Sequence, residues 1–384
     1  MLNFQLYNQV RMLIGPGSLE QLGELIEHMG VKKPMIVTDK SMVNMGILDQ
    51  AVAGLKERNI PYVTFDEVLP NAPTDAIEKA SVICNKEKCD AVVGLGGGSV
   101  MDSAKAVNVL RFNDGKILDY VERMDDIKFS PNCVLIPTTA GTGSELSQGM
   151  ILMGPDHAKY TILSHNANAA YAILDPVMQT RLPAELTAAT GLDALTHVVE
   201  DYTDTLATDF TDMICEKVIE TIAEYLPICI SDPGNVKARS RMAISASLAG
   251  WMLGHCVANA GHSIGQTIGG LFDIPHGHCV AYSEPWVLEF NAPAVPERTK
   301  FIGKALGATF TGKETPEEIG AKTRDAFIDF RDNKLGLRSV KSFGYDESKF
   351  EEAAKIIEAD IFQNFQPRKM TAADALEILK KIYA

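Results

Sequence analysis

The stretch DAVVGLGGGSVMDSAKA, residues 90–106, decides the fold. A short β-branched run ends in Gly96, Gly97 and Gly98, and Ser99 then opens an alanine-rich segment that is typical of a helix. Each glycine costs backbone entropy on folding, so three in succession need a physical reason. One reason is a tight turn from strand to helix. The other is a cradle of backbone N–H groups at a helix N-terminus, which binds phosphate.

The segments around this turn repeat the order of strand and helix. SLEQLGELIEHMG, residues 18–30, predicts a helix with a capping box at Ser18 and Gln21 and an end at Gly30. The repeated order predicts an α/β sheet with crossover helices. Five short apolar runs are typical of its buried parallel strands: PMIVTD (34–39), PYVTF (61–65), DAVVGLG (90–96), CVLIPTT (133–139) and YAILDP (171–176).

Strand-like runs stop near residue 182, and helical periodicity continues from there. A chain of 384 residues is longer than a single hydrophobic core usually serves, so we expect two domains. They are an α/β domain at 1–182 and an all-helical domain at 183–384. The expected helices of the second domain lie at 184–202, 211–225, 237–254, 316–332, 347–362 and 371–383.

Composition excludes some classes of partner. The formal net charge of −14 disfavours nucleic acids and anionic membrane surfaces. Seven scattered cysteines do not form a disulfide pattern, so we predict reduced thiols and a cytoplasmic protein. The opening MLNFQLYNQV, residues 1–10, lacks the pattern of a secretory signal. The apolar stretch at 247–272 contains histidines and many glycines, and predicts a buried helix rather than a membrane span.

Three of the predicted strand ends carry residues suited to a nucleotide: Asp39, the turn from Gly96 to Ser99, and the segment from Thr138 to Ser144. In open α/β sheets, ligands bind just outside the carboxyl ends of the strands. An acid at Asp39 can accept both ribose hydroxyls and repel a 2′-phosphate, which favours NAD over NADP. A helix cap is the alternative for Asp39. The full G-x-G-x-x-G fingerprint is absent because Ser99 replaces its third glycine, so a purely structural turn stays open.

A second group of residues is typical of a metal site. TGLDALTHVVEDY, residues 190–202, places Asp193 and His197 four residues apart on one helix face, where a local hydrogen bond is the alternative. His262 and His276 lie in an apolar, glycine-rich stretch. No Lys or Arg occurs at 242–297, so Asp193, if it is buried, needs another positive charge, which a metal would supply. One carboxylate and three imidazoles suit Fe(II) or Zn(II), with one position open for substrate.

The other histidines have different expectations. His278, two residues after His276, is an alternative ligand or an active-site acid. His255 is expected to be structural, and the remaining three fall outside any cluster: His28, His157 and His165.

Four motifs in this order and spacing resemble the iron-containing (group III) alcohol dehydrogenases: GGGSVMDSAKA, TTAGTGSE, TGLDALTHVVE and PHGH. The resemblance extends over nearly the whole chain and implies a dinucleotide-binding α/β domain, a helical domain and an active site in the cleft between them. It implies four metal ligands: Asp193, His197, His262 and His276. The cofactor contacts it implies, with Gly96 of the same turn, are Asp39, Asn71, Gly97, Gly98, Ser99, Asp102, Thr138, Thr139, Thr142 and Lys159.

The chain also departs from that family's pattern. Many members carry a second histidine four residues after the third ligand, where this chain has Gln266, which cannot relay a proton. Trp286 replaces another common histidine. We therefore hypothesise that His278 partly substitutes for the missing histidine, as a proton relay or a substrate contact.

The sequence predicts a metal-dependent, NAD(H)-linked alcohol dehydrogenase or aldehyde reductase that acts on a small, neutral alcohol or aldehyde. We expect Fe(II), although Zn(II) or Mn(II) can share these ligands. We also expect a homodimer or a higher homo-oligomer. The main alternative is a lyase of the dehydroquinate-synthase type. Such an enzyme needs several Lys or Arg side chains to hold its phosphorylated substrate, and the absence of Lys and Arg at 242–297 argues against it. A catalytically silent NAD-binding protein is the third reading, and the intact set of metal ligands disfavours it.

Overall fold

The structure is a computed structural model that describes residues 7–384. The first six residues, part of the stretch in which we expect no secretory signal, lie outside the described residues. The chain forms two compact units, with Tyr7–Arg181 in one and Leu182–Ala384 in the other. The first unit is α/β and the second is helical, which confirms the predicted fold class.

The first unit contains eight strands among its described residues. Their bounds are β1 Arg11–Ile14, β2 Pro34–Val37, β3 Val63–Phe65, β4 Ala91–Gly96, β5 Cys133–Pro137, β6 Gly149–Met153, β7 Lys159–Leu163 and β8 Tyr171–Leu174. Six of them form a parallel sheet in the order β1-β8-β5-β4-β2-β3, while β6 and β7 form an antiparallel pair. All five predicted strands are present. The sequence analysis missed β1, β6 and β7, which are largely half-buried or exposed and lack a continuous apolar run.

Five α-helices belong to this unit: α1 Leu22–His28, α2 Lys40–Asn44, α3 Ile47–Glu57, α4 Thr74–Lys86 and α5 Gly98–Leu110. The capping box predicted at Ser18 is wrong. A 3-10 turn precedes α1, its N-cap is Gly17 with a φ of 83°, and no side chain caps it. Glycine adopts a left-handed backbone without strain, so Gly17 can occupy the N-cap position, and Ser18 lies inside the 3-10 turn instead of capping it.

The topology puts three strand ends next to each other. Strand β2 lies between β3 and β4, and β5 lies on the other side of β4. The chain moves outward from β2 to β3 and then crosses back to β4, so the direction of winding reverses between β2 and β4. Ligands of open α/β sheets bind at such a reversal, beyond the carboxyl ends of the strands. Strands β2, β4 and β5 are buried along their whole length, as expected for central parallel strands.

The second unit contains nine α-helices among the described residues. Their bounds are α6 Ala184–Thr203, α7 Asp209–Ser231, α8 Val236–Met252, α9 Ala260–Phe272, α10 His276–Asn291, α11 Pro296–Leu306, α12 Pro316–Asp329, α13 Phe350–Ala359 and α14 Ala372–Tyr383. The six expected helices are present with shifted ends. The apolar stretch at 247–272 is divided between two helices, because α8 ends at Met252 and α9 begins at Ala260. No helix among residues 7–384 is long and apolar enough to cross a membrane.

Helix α6 is the central element of this unit. It packs against α7, α8 and α10, and α10 packs in turn against α9. Nearly every residue of α6 from Thr187 onward is buried, including its ionisable ones. Acids and histidines on this helix therefore need partners inside the unit. The seven cysteines are all buried and free of disulfides, as the sequence analysis predicts.

A strand-end turn and a buried histidine cluster as candidate sites

The glycine turn joins β4 to α5 at the centre of the parallel sheet. Gly97 is the N-cap of α5, and its φ of −82° is open to any residue. None of the three glycines has a positive φ. The reason for glycine is therefore space. A Cβ on Gly98 would lie 2.6 Å from Thr142 Cγ2, and one on Gly96 would lie 2.7 Å from the Val100 side chain. A Cβ on Gly97 would only reach ordinary contact, 3.5 Å from Thr139.

The loop after β5 is tied to this turn. Thr138 N donates to Gly96 O at 3.0 Å, and Thr142 lies against Gly98. Asn71, with a φ of 65°, donates its backbone N–H to Ser99 Oγ at 3.0 Å. The first N–H groups of α5 have no acceptor within the helix and carry the positive end of its dipole. The turn thus presents a helix N-terminus of the kind that anions favour, with two neighbouring loops held against it.

Lys105 and Asp102, two charged residues of the same motif, are buried inside the protein and do not face the turn's open side. Lys105 is fully buried, and its Nζ donates to Ser144 O at 3.0 Å, to Ser147 O at 3.4 Å and to Gly149 O. It also pairs with Asp102, at 3.2 Å between Nζ and Oδ1.

Asp102 itself accepts from Ser144 Oγ at 2.5 Å and from Ile151 N at 3.0 Å. With both of its oxygens occupied in this way, Asp102 holds the loop after β5 onto α5. The sequence analysis missed Lys105, although the lysine stands in the quoted motif. Its position three residues after Asp102 on a helix was the available signal.

The remaining predicted cofactor contacts lie around the same edge. Asp39 follows β2 and caps α2, since its Oδ1 accepts from Ser41 N at 2.7 Å and from Met42 N at 3.2 Å. The helix-cap alternative is therefore present in the structure. Lys159 opens β7 and pairs in register with Met153, whose backbone N–H donates to Ala72 O at 3.2 Å. This places Lys159 next to the Asn71 segment.

The histidine cluster lies in the second unit around one carboxylate oxygen. Asp193 Oδ1 is 3.4 Å from His276 Nε2, 3.8 Å from His197 Nε2 and 3.9 Å from His262 Nε2. Asp193 and His197 come from α6, His262 from α9, and His276 is the first residue of α10. Residues from three helices thus meet at one point, and all but the half-buried His276 are buried.

The geometry of the cluster fits a metal ion. The donor atoms of Asp193, His262 and His276 all lie within 4.8 Å of one another, whereas His197 is outside this mutually close set. Tetrahedral ligands with bonds of about 2.1 Å are about 3.4 Å apart, so these spacings need only a small contraction around an ion. The rings of His197 and His262 stack with centroids 4.6 Å apart and an interplanar angle of 16°. One carboxylate and three imidazoles are suitable ligands for a first-row divalent metal.

Buried acids lie directly behind the cluster. Glu200 on α6 is fully buried, and its Oε2 is 2.5 Å from His262 Nδ1. Burial raises the pKa of Asp201 well above its usual range, and it raises that of Asp204 to about 7. Burial also raises the pKa of Glu284, on α10, and the charge of Glu200 adds to that shift. The sequence analysis missed this layer, although Glu200 follows His197 by three residues in the quoted motif.

His278 and Gln266, the residue at the position of the family's second histidine, differ in their surroundings. His278 is buried, its Nε2 is 2.7 Å from Glu185 Oε1, and its ring packs edge-on against Phe343. Gln266 is half-buried on α9, one turn after His262. If His278 relays a proton through Nε2, it must therefore pass that proton to Glu185 or give up this contact.

Comparison with known proteins decides the family. The model of the family "Iron-containing alcohol dehydrogenase" matches residues 9–176, and that of "Fe-containing alcohol dehydrogenase family, C-terminal" matches residues 187–383. The chain belongs to the iron-containing alcohol dehydrogenase family. It is an alcohol dehydrogenase, which confirms the family and the class of reaction predicted from the four motifs.

Relatives and solved structures agree with this assignment. A choline dehydrogenase of Bacillus subtilis (strain 168) is 38% identical over 309 residues, 79% of this chain and 76% of the relative. An NAD-dependent methanol dehydrogenase of Bacillus methanolicus is 31% identical over 370 residues, 96% of this chain and 97% of the relative. The structure of an alcohol dehydrogenase from Oenococcus oeni superposes with a TM-score of 0.93 at 29% identity, covering 99% of this chain and 100% of that one.

Proposed function

We propose that this alcohol dehydrogenase uses NAD(H) and a divalent metal to interconvert a small alcohol and its aldehyde. The observation that carries the proposal is the convergence of three histidine Nε2 atoms within 4 Å of Asp193 Oδ1. We propose Asp193, His197, His262 and His276 as the ligands. When bound there, the metal supplies Lewis-acid chemistry to the substrate oxygen.

NAD(H), when bound, supplies the hydride acceptor or donor. We propose that the turn from Gly96 to Ser99 holds its pyrophosphate, because bare backbone N–H groups and a helix N-terminus meet there. We propose that the cofactor is also contacted by residues of the neighbouring segments: Asn71, Thr138, Thr139, Thr142 and Lys159. Further support comes from the 31% identical methanol dehydrogenase, whose name states NAD dependence.

Asp39 and Asp102 have different parts in this proposal. Asp39 Oδ1 caps α2, and its Oδ2 is the oxygen we propose for a ribose hydroxyl. Asp102 acts through the loop that it holds, because both of its oxygens already accept hydrogen bonds from that segment. We propose Asp102 as a positioning residue for the cofactor loop.

The metal is proposed to be Fe(II), in keeping with the family's description, and Zn(II) and Mn(II) share a preference for such ligands. The substrate is proposed to be a small neutral alcohol or aldehyde. A choline-like cationic alcohol is the second candidate, because the 38% identical relative is a choline dehydrogenase.

The test is NADH oxidation by protein loaded separately with Fe(II), Zn(II) and Mn(II), against a panel of small aldehydes that includes betaine aldehyde. We expect loss of NADH absorbance with at least one neutral aldehyde, and none in protein stripped of metal. A lyase recycles NAD internally, so flat NADH absorbance with turnover of a phosphorylated substrate would contradict the proposal.

We also propose a homodimer in the cytoplasm, with 1–182 as the NAD-binding domain and 183–384 as the metal-binding domain. The reduced, buried state of the seven cysteines supports the compartment. Light scattering of the purified protein measures the oligomer directly, and a mass of 41.7 kDa would be a monomer.

A further inference from the structure

Glu200 is bonded to three donors in the first turn of α9. Its Oε1 accepts from His262 N at 2.9 Å, and its Oε2 accepts from Asn259 N at 3.1 Å. Oε2 is also 2.5 Å from Nδ1 of the His262 ring. The N-cap residue of α9, Asn259, makes no side-chain cap. Glu200 therefore caps α9 from a neighbouring helix and holds the ring of His262 with the same carboxylate.

This arrangement fixes which ring nitrogen of His262 carries the proton. A carboxylate can only accept, so Nδ1 must donate to Glu200. The lone pair is then on Nε2, the atom that lies 3.9 Å from Asp193 Oδ1. A carboxylate on the far nitrogen of a ligating histidine fixes its orientation and makes the ring a better ligand.

A second buried acid lies beside Glu200. Glu284 on α10 is 1% exposed, and its Oε2 has no hydrogen-bond partner among residues 7–384. The backbone of Gly261 lies against both acids, so a Cβ there would collide with Glu284 Oε2 and lie 2.5 Å from Glu200 Oε1. Burial, together with the charge of Glu200, raises the pKa of the Glu284 carboxyl well above its usual range.

We propose that Glu200 and Glu284 form a buried acid pair that positions His262 for the metal. Glu200 holds His262 by its ring Nδ1–H and its backbone N–H, and Glu284 occupies the space beside Glu200 at Gly261 and so confines that carboxylate. This inference rests on the proposed metal site, and concerns the residues behind it.

The variant Glu200→Gln tests the first half of the pair. In the native protein both oxygens face N–H groups, so a glutamine places its NH2 against a donor in either orientation. One orientation disturbs the start of α9, and the other moves the proton of His262 from Nδ1 to Nε2, where it blocks the ligand atom. We expect Co(II) affinity, measured by competition with a chelator, to fall by about 10- to 100-fold.

Glu284→Leu and Glu284→Gln test the second half. Leucine changes the shape of the side chain beside Glu200, and we expect about tenfold weaker Co(II) binding. Glutamine keeps the shape of the glutamate side chain, so its loss of affinity is expected to be smaller than that of leucine. Glu289→Gln is the matched control, because Glu289 lies on the same helix but pairs with Arg324. It should bind Co(II) like the wild type.

The cobalt d–d absorption spectrum is the readout that a purely structural effect would not move. We expect shifted bands in Glu200→Gln at saturating Co(II), with thermal unfolding of the metal-free protein showing that the variants fold. Wild-type affinity and spectrum in Glu200→Gln and Glu284→Leu would overturn the acid pair. A wild-type protein that binds no Co(II) would instead overturn the metal site, so the two failures are distinguishable.

Discussion

The two candidate sites are built from different materials. The strand-end site of the Tyr7–Arg181 unit consists of glycines, hydroxyl side chains and backbone N–H groups around one helix N-terminus. The cluster of the Leu182–Ala384 unit consists of buried ionisable side chains from three helices, with further acids behind them. A backbone site depends on close packing, whereas a side-chain cluster depends on which protons its members hold. The comparison therefore predicts different sensitivities to substitution and to pH.

The largest effect is expected from His276→Ala, which removes one proposed ligand. Turnover should fall by at least about a thousandfold, because metal polarisation of the substrate oxygen is worth several kcal/mol. NADH binding, measured by fluorescence titration, should persist, since the strand-end site is untouched. His28→Ala, an exposed histidine on α1, is the control and should retain turnover. Loss of NADH binding in His276→Ala would contradict the prediction that the two sites bind their ligands independently.

Lys105→Met changes a buried charge in the Tyr7–Arg181 unit, where close packing decides the structure of the turn. Removing its ammonium leaves Asp102 without its cationic partner and several carbonyl groups without this donor, which should lower the free energy of unfolding by roughly 3 kcal/mol. Lys79→Met is the control, since the Lys79–Glu67 pair is exposed and should change stability by less than about 1 kcal/mol. Equal denaturation midpoints for the two variants would contradict a stabilising role for the buried bonds of Lys105.

Asp204 should make the stability of the helical unit depend on pH. Burial and the nearby Glu200 raise its pKa to about 7 in the folded protein, while two backbone N–H groups oppose that shift. The folded state therefore binds a proton that the unfolded state releases near pH 4, so stability falls as pH rises towards 7. Asp204→Asn should reduce the loss of unfolding free energy between pH 5 and pH 8 by about 2 kcal/mol.

The measurement for Asp204 is urea denaturation at several pH values. Asp49→Asn, which removes an exposed carboxylate on α3, should keep the wild-type pH dependence. A slope in Asp204→Asn equal to that of the wild type would show that Asp204 does not carry the effect.

The smallest effects come from alanine in the glycine turn, where two neighbours should behave differently. Gly98→Ala collides with Thr142 and should cost about 1 kcal/mol of stability together with NADH affinity. Gly97→Ala makes only ordinary contact with Thr139, so it should weaken NADH binding with little change in stability. Calorimetric titration and thermal unfolding separate the two. Unchanged NADH affinity in Gly97→Ala would argue for a purely structural turn.

Sequence reasoning succeeded where a local pattern reports a local structure. Buried parallel strands such as β4 appear as continuous apolar runs, and Asp193 and His197 share a helix face by spacing alone. It failed where tertiary packing decides. The half-buried strand β6 has no apolar run, and nothing near Glu284 in the chain indicates that it faces Glu200 across Gly261. The inward direction of Lys105 likewise depends on a loop some forty residues later.

We propose that Asp193, His197, His262 and His276, which come from three helices, bind one divalent ion. Elemental analysis of protein equilibrated with Fe(II) and then desalted anaerobically tests it most directly, with the wild type beside Asp193→Ala/His262→Ala. One iron per wild-type chain and less than about a tenth of that in the double variant is the predicted result. Equal iron content in the two folded proteins would contradict it.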